Sequence, residues 1–208
     1  MFLENTVNPK EQFGWIEVIC GSMFSGKTEE LIRRLKRAQF AQQRVEIFKP
    51  SIDQRYDDAM VMSHDDNQIR STPVPAAANI PILADNCDVV GIDEAQFFDD
   101  EIIKVCNDLA NRGIRVIVAG LDMDYKGNPF GPMPALMATA EYVTKVHAVC
   151  TRTGNLAQYS YRKSGEDSLV MLGEKESYEP LSRAAFYKAM LSQSKPSEKE
   201  KIKPDSKD

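Results

Sequence analysis

Gly21-Ser22-Met23-Phe24-Ser25-Gly26-Lys27-Thr28 matches the pattern G-x-x-x-x-G-K-[ST]. Such a match arises by chance in on the order of one average chain in a hundred. Its surroundings separate this one from chance. Trp15 to Cys20 is a short run rich in β-branched residues and reads as a buried strand. Thr28 to Gln42 carries Leu31, Leu35 and Ala38 at helical spacing. Strand, glycine turn and helix in that order make a phosphate cradle, or P-loop. Glycines let backbone N–H groups approach the anion, and the helix N-terminus adds its positive end. Lys27 is placed to reach the β- and γ-phosphates, and Thr28 to offer its hydroxyl to Mg2+.

The rest of the chain extends the same plan. Val45–Phe48, Cys87–Ile92 and Arg115–Gly120 are further apolar runs, and a helix is expected over about Asp99–Asn111, ended by Gly113. Continuous rather than alternating apolar runs, separated by helices, predict a parallel sheet covered on both faces, an α/β fold. Arg33, Arg34, Lys36 and Arg37 read as a solvated helix face. Ser51 to Asn79, polar and holding Pro73 and Pro75, reads as a long surface excursion. After about Glu141 the pattern turns to short alternating β segments, Glu141–Cys150, Ala157–Tyr161 and Leu169–Leu172, a small β-rich appendage. The expected organisation is a flexible segment over 1–13, an α/β core over 14–141, the appendage over 142–191 and a disordered tail over 192–208.

Composition narrows the function classes. A net charge of −5 and pI near 5.2 argue against a broad basic surface for nucleic acid. No apolar run approaches the ~20 residues of a spanning helix, and 1–13 lacks the apolar stretch of a secretory signal. Cysteines at 20, 87, 106 and 150 lie far apart and read as reduced thiols of a cytoplasmic protein.

Val89-Val90-Gly91-Ile92-Asp93-Glu94 puts two carboxylates at the C-terminal end of a strand, where parallel sheets bind ligands. Asp93 is placed to hold Mg2+ directly or through water. Glu94 is placed to accept the proton of an attacking hydroxyl, and equally to activate water. An isolated Asp-Glu would read as a solvated strand end; beside the P-loop, Asp93 reads as functional. To this point the residues describe either a phosphotransferase or a RecA-like ATPase.

The chain resembles the thymidine kinase family, over about Trp15 to Tyr187. The resemblance is carried by the P-loop, Phe48-Lys49-Pro50, Asp53-Gln54-Arg55-Tyr56 and Ser63-His64-Asp65. Ile92-Asp93-Glu94-Ala95-Gln96-Phe97-Phe98, Gly120-Leu121-Asp122, Pro129-Phe130-Gly131 and Tyr178-Glu179-Pro180 complete it. It implies a RecA-like P-loop core with a small lasso domain, and transfer of the γ-phosphoryl of ATP to thymidine with Mg2+, deoxyuridine being the alternative acceptor. By resemblance Glu94 is the general base and Arg55 neutralises charge at the transferred phosphate. Gly21 to Thr28, Asp53, Asp93 and Gln96 contact ATP or its metal. Met23, Phe97, Leu121, Tyr125 and Phe130 surround the thymine, with Ser160, Arg162, Met171, Gly173 and Tyr178 on the lasso side. A homotetramer in the cytoplasm, inhibited by dTTP, is also implied.

The family usually ties its lasso with a structural zinc held by two Cys-x-x-Cys or Cys-x-x-His pairs. Here those positions align with Cys150 and Thr153, and with Ser182 and Ala185. One thiolate does not make a tetrahedral site, so no zinc is expected. Leu156, Leu181 and Phe186 are expected to fill the space as an apolar cluster.

Overall fold

A computed structural model describes residues 13–52, 60–62, 68–163 and 177–193. Six strands form one parallel sheet in the order β5-β2-β6-β7-β1-β8. They are β1 Trp15–Gly21, β2 Val45–Pro50, β5 Thr72–Val74, β6 Val89–Ile92, β7 Arg115–Leu121 and β8 Tyr142–Val146. A separate antiparallel pair, β3 Met60–Met62 with β4 Gln68–Arg70, precedes β5. The helices are α1 Lys27–Phe40, α2 Ile80–Leu83, α3 Glu101–Asn111, α4 Met133–Thr139 and α5 Arg183–Gln193.

Side-chain alternation along β1 builds two cores. Ile16, Val18 and Cys20 point to the face covered by α2, α3 and α4, with Ile80, Ile102, Leu109 and Met133. Ile19 points to the other face, where α1 packs Leu31, Ile32, Leu35 and Ala38. At Gly91 a Cβ would stand 2.7 Å from Leu35 Cδ1, so the bare backbone of β6 lets α1 sit close. The sheet covered on both faces is thus as expected.

Three stretches depart from the sequence reading. Thr72–Val74 lies inside the supposed surface excursion yet pairs with β2, with Val74 1% exposed. Pro73 is tolerated there because β5 is an edge strand. Tyr142–Val146, expected in the appendage, pairs in parallel with β1 as the opposite edge. Its alternating pattern reflects an edge with one face toward solvent. Arg183–Gln193 is a helix the strand-centred reading missed, and it takes in Ser192, where a disordered tail was expected to begin. Leu169–Leu172 and 194–208 lie outside the described residues.

Arg34 also leaves the solvated face assigned to the basic run. Glu17, on the α1 side of β1 and 1% exposed, accepts Arg34 Nη1 at 2.7 Å, Arg115 Nε at 2.6 Å and Trp15 Nε1 at 2.8 Å. Arg34 Nε also reaches Glu30 Oε1 at 2.8 Å, and its Nη2 reaches Thr144 Oγ1 at 3.0 Å. One buried carboxylate therefore ties α1, β1, β7 and β8 together. All four cysteines are free, and burial pushes the Cys106 thiol up to about 12. Among the described residues no helix is long and apolar enough to cross a membrane.

Burial alone would raise the Glu17 pKa, but the hydrogen bonds and charge of Arg115, with Trp15 and Arg34, outweigh it and hold the carboxyl below its ordinary 4.5. A folded pKa depressed in this way stabilises the fold above the unfolded value, and that stability is lost as pH falls through the folded value. Glu17→Ala leaves the largely buried Arg115 without its carboxylate and Arg34 with Glu30 alone, and is expected to cost about 3 kcal/mol, read from the urea midpoint. The stability gap between wild type and Glu17→Gln should be full at pH 7 and close below the ordinary 4.5. A gap that stays constant across that range would show that the carboxylate charge plays no part.

Candidate functional site

The C-terminal ends of β1, β6 and β7 converge, and each delivers part of one site. From β1 the chain turns through Gly21 (φ 149°), Phe24 (φ 62°) and Gly26 (φ 82°) into α1. At Gly21 a Cβ would lie 2.2 Å from the Val146 carbonyl oxygen, so the loop's first position excludes any side chain. Ser25 Oγ donates to Ser22 O at 2.7 Å, and Lys27 Nζ to the same oxygen at 2.8 Å. The lysine thus lies over the loop that would cradle the phosphates.

From β6 come the carboxylates. Asp93 is 6% exposed; its Oδ2 accepts Thr28 Oγ1 at 3.4 Å and its Oδ1 accepts the Glu94 N–H at 2.9 Å. A hydroxyl at the helix start beside a carboxylate at a strand end is a set of hard oxygen donors, and it fits Mg2+. Glu94 is half-buried and left-handed, φ 51° and ψ 39°. Such a conformation costs a non-glycine residue on the order of 1–3 kcal/mol and persists only where neighbours hold it. Gln96, 3% exposed, donates Nε2 to Glu94 Oε2 and accepts the Leu121 N–H from β7.

The predicted base pocket falls into two groups. Phe97 meets Phe130 edge-on at 5.7 Å, beside Gln96 and Leu121. Arg162, 3% exposed, stacks its guanidinium 3.8 Å from the centre of the Tyr125 ring and donates Nη2 to the Tyr178 hydroxyl at 2.7 Å. Met23 joins the site to the appendage: its N–H donates to Ser160 Oγ at 2.9 Å. Ser22 Oγ donates to Ala157 O at 3.4 Å. Asp53, Arg55, Met171 and Gly173 lie outside the described residues.

The appendage carries β9 Ala148–Val149, β10 Leu156–Ala157, β11 Tyr159–Arg162, β12 Tyr178–Leu181 and α5. Its core joins Cys150, Tyr159, Leu181, Ala185 and Phe186, with Phe24 of the P-loop packed against it. Tyr159 stacks on Phe186 at 4.4 Å. Leu156, expected in this cluster, is 69% exposed, because it pairs with Val149 on the outer face of the β9–β10 hairpin.

The four positions of the family's zinc pairs do not fit a zinc ion. Only Cys150 carries a ligand, and His147 is exposed. Thr153 Oγ1 lies 3.4 Å from Ser182 Oγ, and Ala185 is buried in the apolar cluster. Burial pushes the Cys150 thiol up, but hydrogen bonds from Thr153, Ser182 and the Arg152 backbone outweigh it and bring the thiol to about 6. A polar and apolar plug stands where a metal would.

Two contributors escaped the sequence reading. Lys145 on β8 pairs with Asp122 at 2.7 Å, brought together by the pairing of both β7 and β8 with β1. Asp124 accepts the backbone N–H groups of Lys126 and Asn128 at 2.8 and 2.9 Å and shapes the loop after β7. Asp124-x-x-Gly127 was its available turn signal.

The family model described as thymidine kinase matches residues 14–186. A thymidine kinase of Bacteroides fragilis is 60% identical over 190 residues, covering 91% of this chain and 96% of that protein. One from Porphyromonas gingivalis is 59% identical over 186 residues, covering 89% and 91%. One from a Rhodothermus species is 62% identical over 173 residues, covering 83% and 81%.

Gly131 tests the packing of the site. Its φ is 49°, and a Cβ there would lie 2.4 Å from the Gln96 carbonyl oxygen. Gly131→Ala is expected to cost about 1–2 kcal/mol from conformation alone. The clash should also shift the turn carrying Gln96 and lower kcat. Wild-type melting and turnover in this variant would refute the close packing.

Proposed function

The chain belongs to the thymidine kinase family, and we propose how its residues divide the transfer of the γ-phosphoryl of ATP to the 5′-hydroxyl of thymidine. The P-loop amides and Lys27 hold the phosphates, and Thr28 and Asp93 hold Mg2+. When bound, the metal supplies charge neutralisation at the phosphates. Glu94 accepts the 5′-hydroxyl proton as the oxygen turns nucleophile. The observation that carries this reading is the placing of Glu94 directly beside the Thr28–Asp93 pair, in a strained backbone conformation with its carboxylate hydrogen-bonded. Asp53 and Arg55, by resemblance, complete the charge balance at the transferred group.

For the acceptor, Met23, Leu121, Phe97 and Phe130 form an apolar wall for the base. Tyr125, Arg162, Tyr178 and Ser160, with Met171 and Gly173 by resemblance, form the lasso side. A polar site that pairs the edge of thymine rejects bases whose donors and acceptors are reversed, since buried groups would be left unpaired. Deoxyuridine lacks only the methyl and is the expected weaker acceptor. The working form is a cytoplasmic homotetramer inhibited by dTTP, a reading supported by the family resemblance.

Purified protein with Mg-ATP should release ADP in step with thymidine monophosphate, and only when thymidine is present. Glu94→Gln should lower kcat by about 10²–10⁴-fold. Thymidine-independent hydrolysis stimulated by DNA would replace the kinase with a RecA-like ATPase.

The appendage is proposed to fold without metal. Elemental analysis should find far less than one zinc per chain, and EDTA should leave the melting temperature unchanged. Stoichiometric zinc would sink this part of the reading.

A further inference from the structure

Gln96 lies two residues beyond the proposed base, in the short helical turn Ala95–Phe97. Its side chain spans two strand ends. Oε1 accepts the Leu121 backbone N–H at 2.9 Å, and Nε2 donates to Glu94 Oε2 at 2.5 Å. Each contact dictates the sense of the other. An N–H only donates, so the amide oxygen must face Leu121 and the NH2 must face the carboxylate. The group is also closed in. A Cβ on Gly120 would lie 3.0 Å from Gln96 Oε1, and one on Gly131 would lie 2.4 Å from the Gln96 carbonyl oxygen.

Glu94 occupies a left-handed backbone conformation that neighbours must hold in place. A carboxylate acting as base needs its oxygen within hydrogen-bond reach of the hydroxyl it deprotonates, and rotamer freedom works against that. From this geometry we infer that Gln96 is the positioning residue of the phosphoryl transfer: it ties the Glu94 carboxylate to the end of β7 and makes no contact with the nucleotide. The inference rests on the reading of Glu94 as base. It separates Gln96 from the ATP contacts that the family resemblance groups it with.

Steady-state kinetics on the full chain test it. Gln96→Met, which keeps the volume and removes both contacts, should lower kcat about 10–100-fold while the KM values for ATP and thymidine stay within about twofold. Gln96→Asn keeps a polar amide for the Leu121 N–H but is one methylene too short to reach Glu94 as well. It should show the same kcat loss with near wild-type melting, and it decides the question should Gln96→Met fold poorly. In a Glu94→Gln background, Gln96→Met should add less than about threefold, because groups that act as one unit are not additive.

A raised KM for ATP at unchanged kcat would make Gln96 a nucleotide contact and overturn the inference. A fully additive loss in the double variant would overturn it too. Glu94→Gln retaining most of its turnover would instead remove the base reading itself. An inactive Glu94→Gln beside a fully active Gln96→Met would remove only the positioning role.

Discussion

The whole arrangement hangs on the backbone ladder between β1 and β7, which runs without a break from Trp15↔Arg115 to Gly21↔Leu121. Register along that ladder sets the depth at which β1 releases the chain into the P-loop and β7 releases it toward the base pocket. β6 pairs with β7 on its other side, so Asp93 and Glu94 emerge at the same edge. A one-residue slip would turn Glu17 into the opposite core and carry Gly21 away from Val146. Glu17 guards against such a slip: Arg115 and Arg34 can meet it only from the α1 face. The paired register is thus the one in which the Glu17 carboxylate meets both guanidiniums.

How far the sequence could be read follows from how local each signal is. The P-loop was legible because strand, turn and helix are consecutive and each needs particular residues. The central strands were legible because burial on both faces makes their apolar runs continuous. The edges were not, since β5 and β8 are short or alternating and their membership depends on pairings with β2 and β1. Helix α5 carries a weak sequence signal, because only Ala185, Phe186 and Ala189 mark its buried face and two of the three are small. Gln96 could be recognised in the sequence but not its partner, because the Leu121 N–H is a backbone group of a distant strand.

The appendage shows how a small domain can be closed by several weak contacts. Cys150, Thr153 and Ser182 share hydrogen bonds, and Ala185 and Phe186 pack beneath them. Arg152 bridges to Glu179 at 2.7 Å on the outside. The result also leans on the core: Ser160 holds the Met23 N–H, and Gly127 of the loop after β7 lies against Tyr159 and Phe186. Part of the appendage's cohesion therefore comes from its neighbour.

Phe24 gives that dependence a thermodynamic direction. The same residue holds a left-handed turn in the phosphate loop and a place against the appendage core. Opening of the appendage therefore removes packing from the P-loop, so the local stabilities of the two segments are thermodynamically linked.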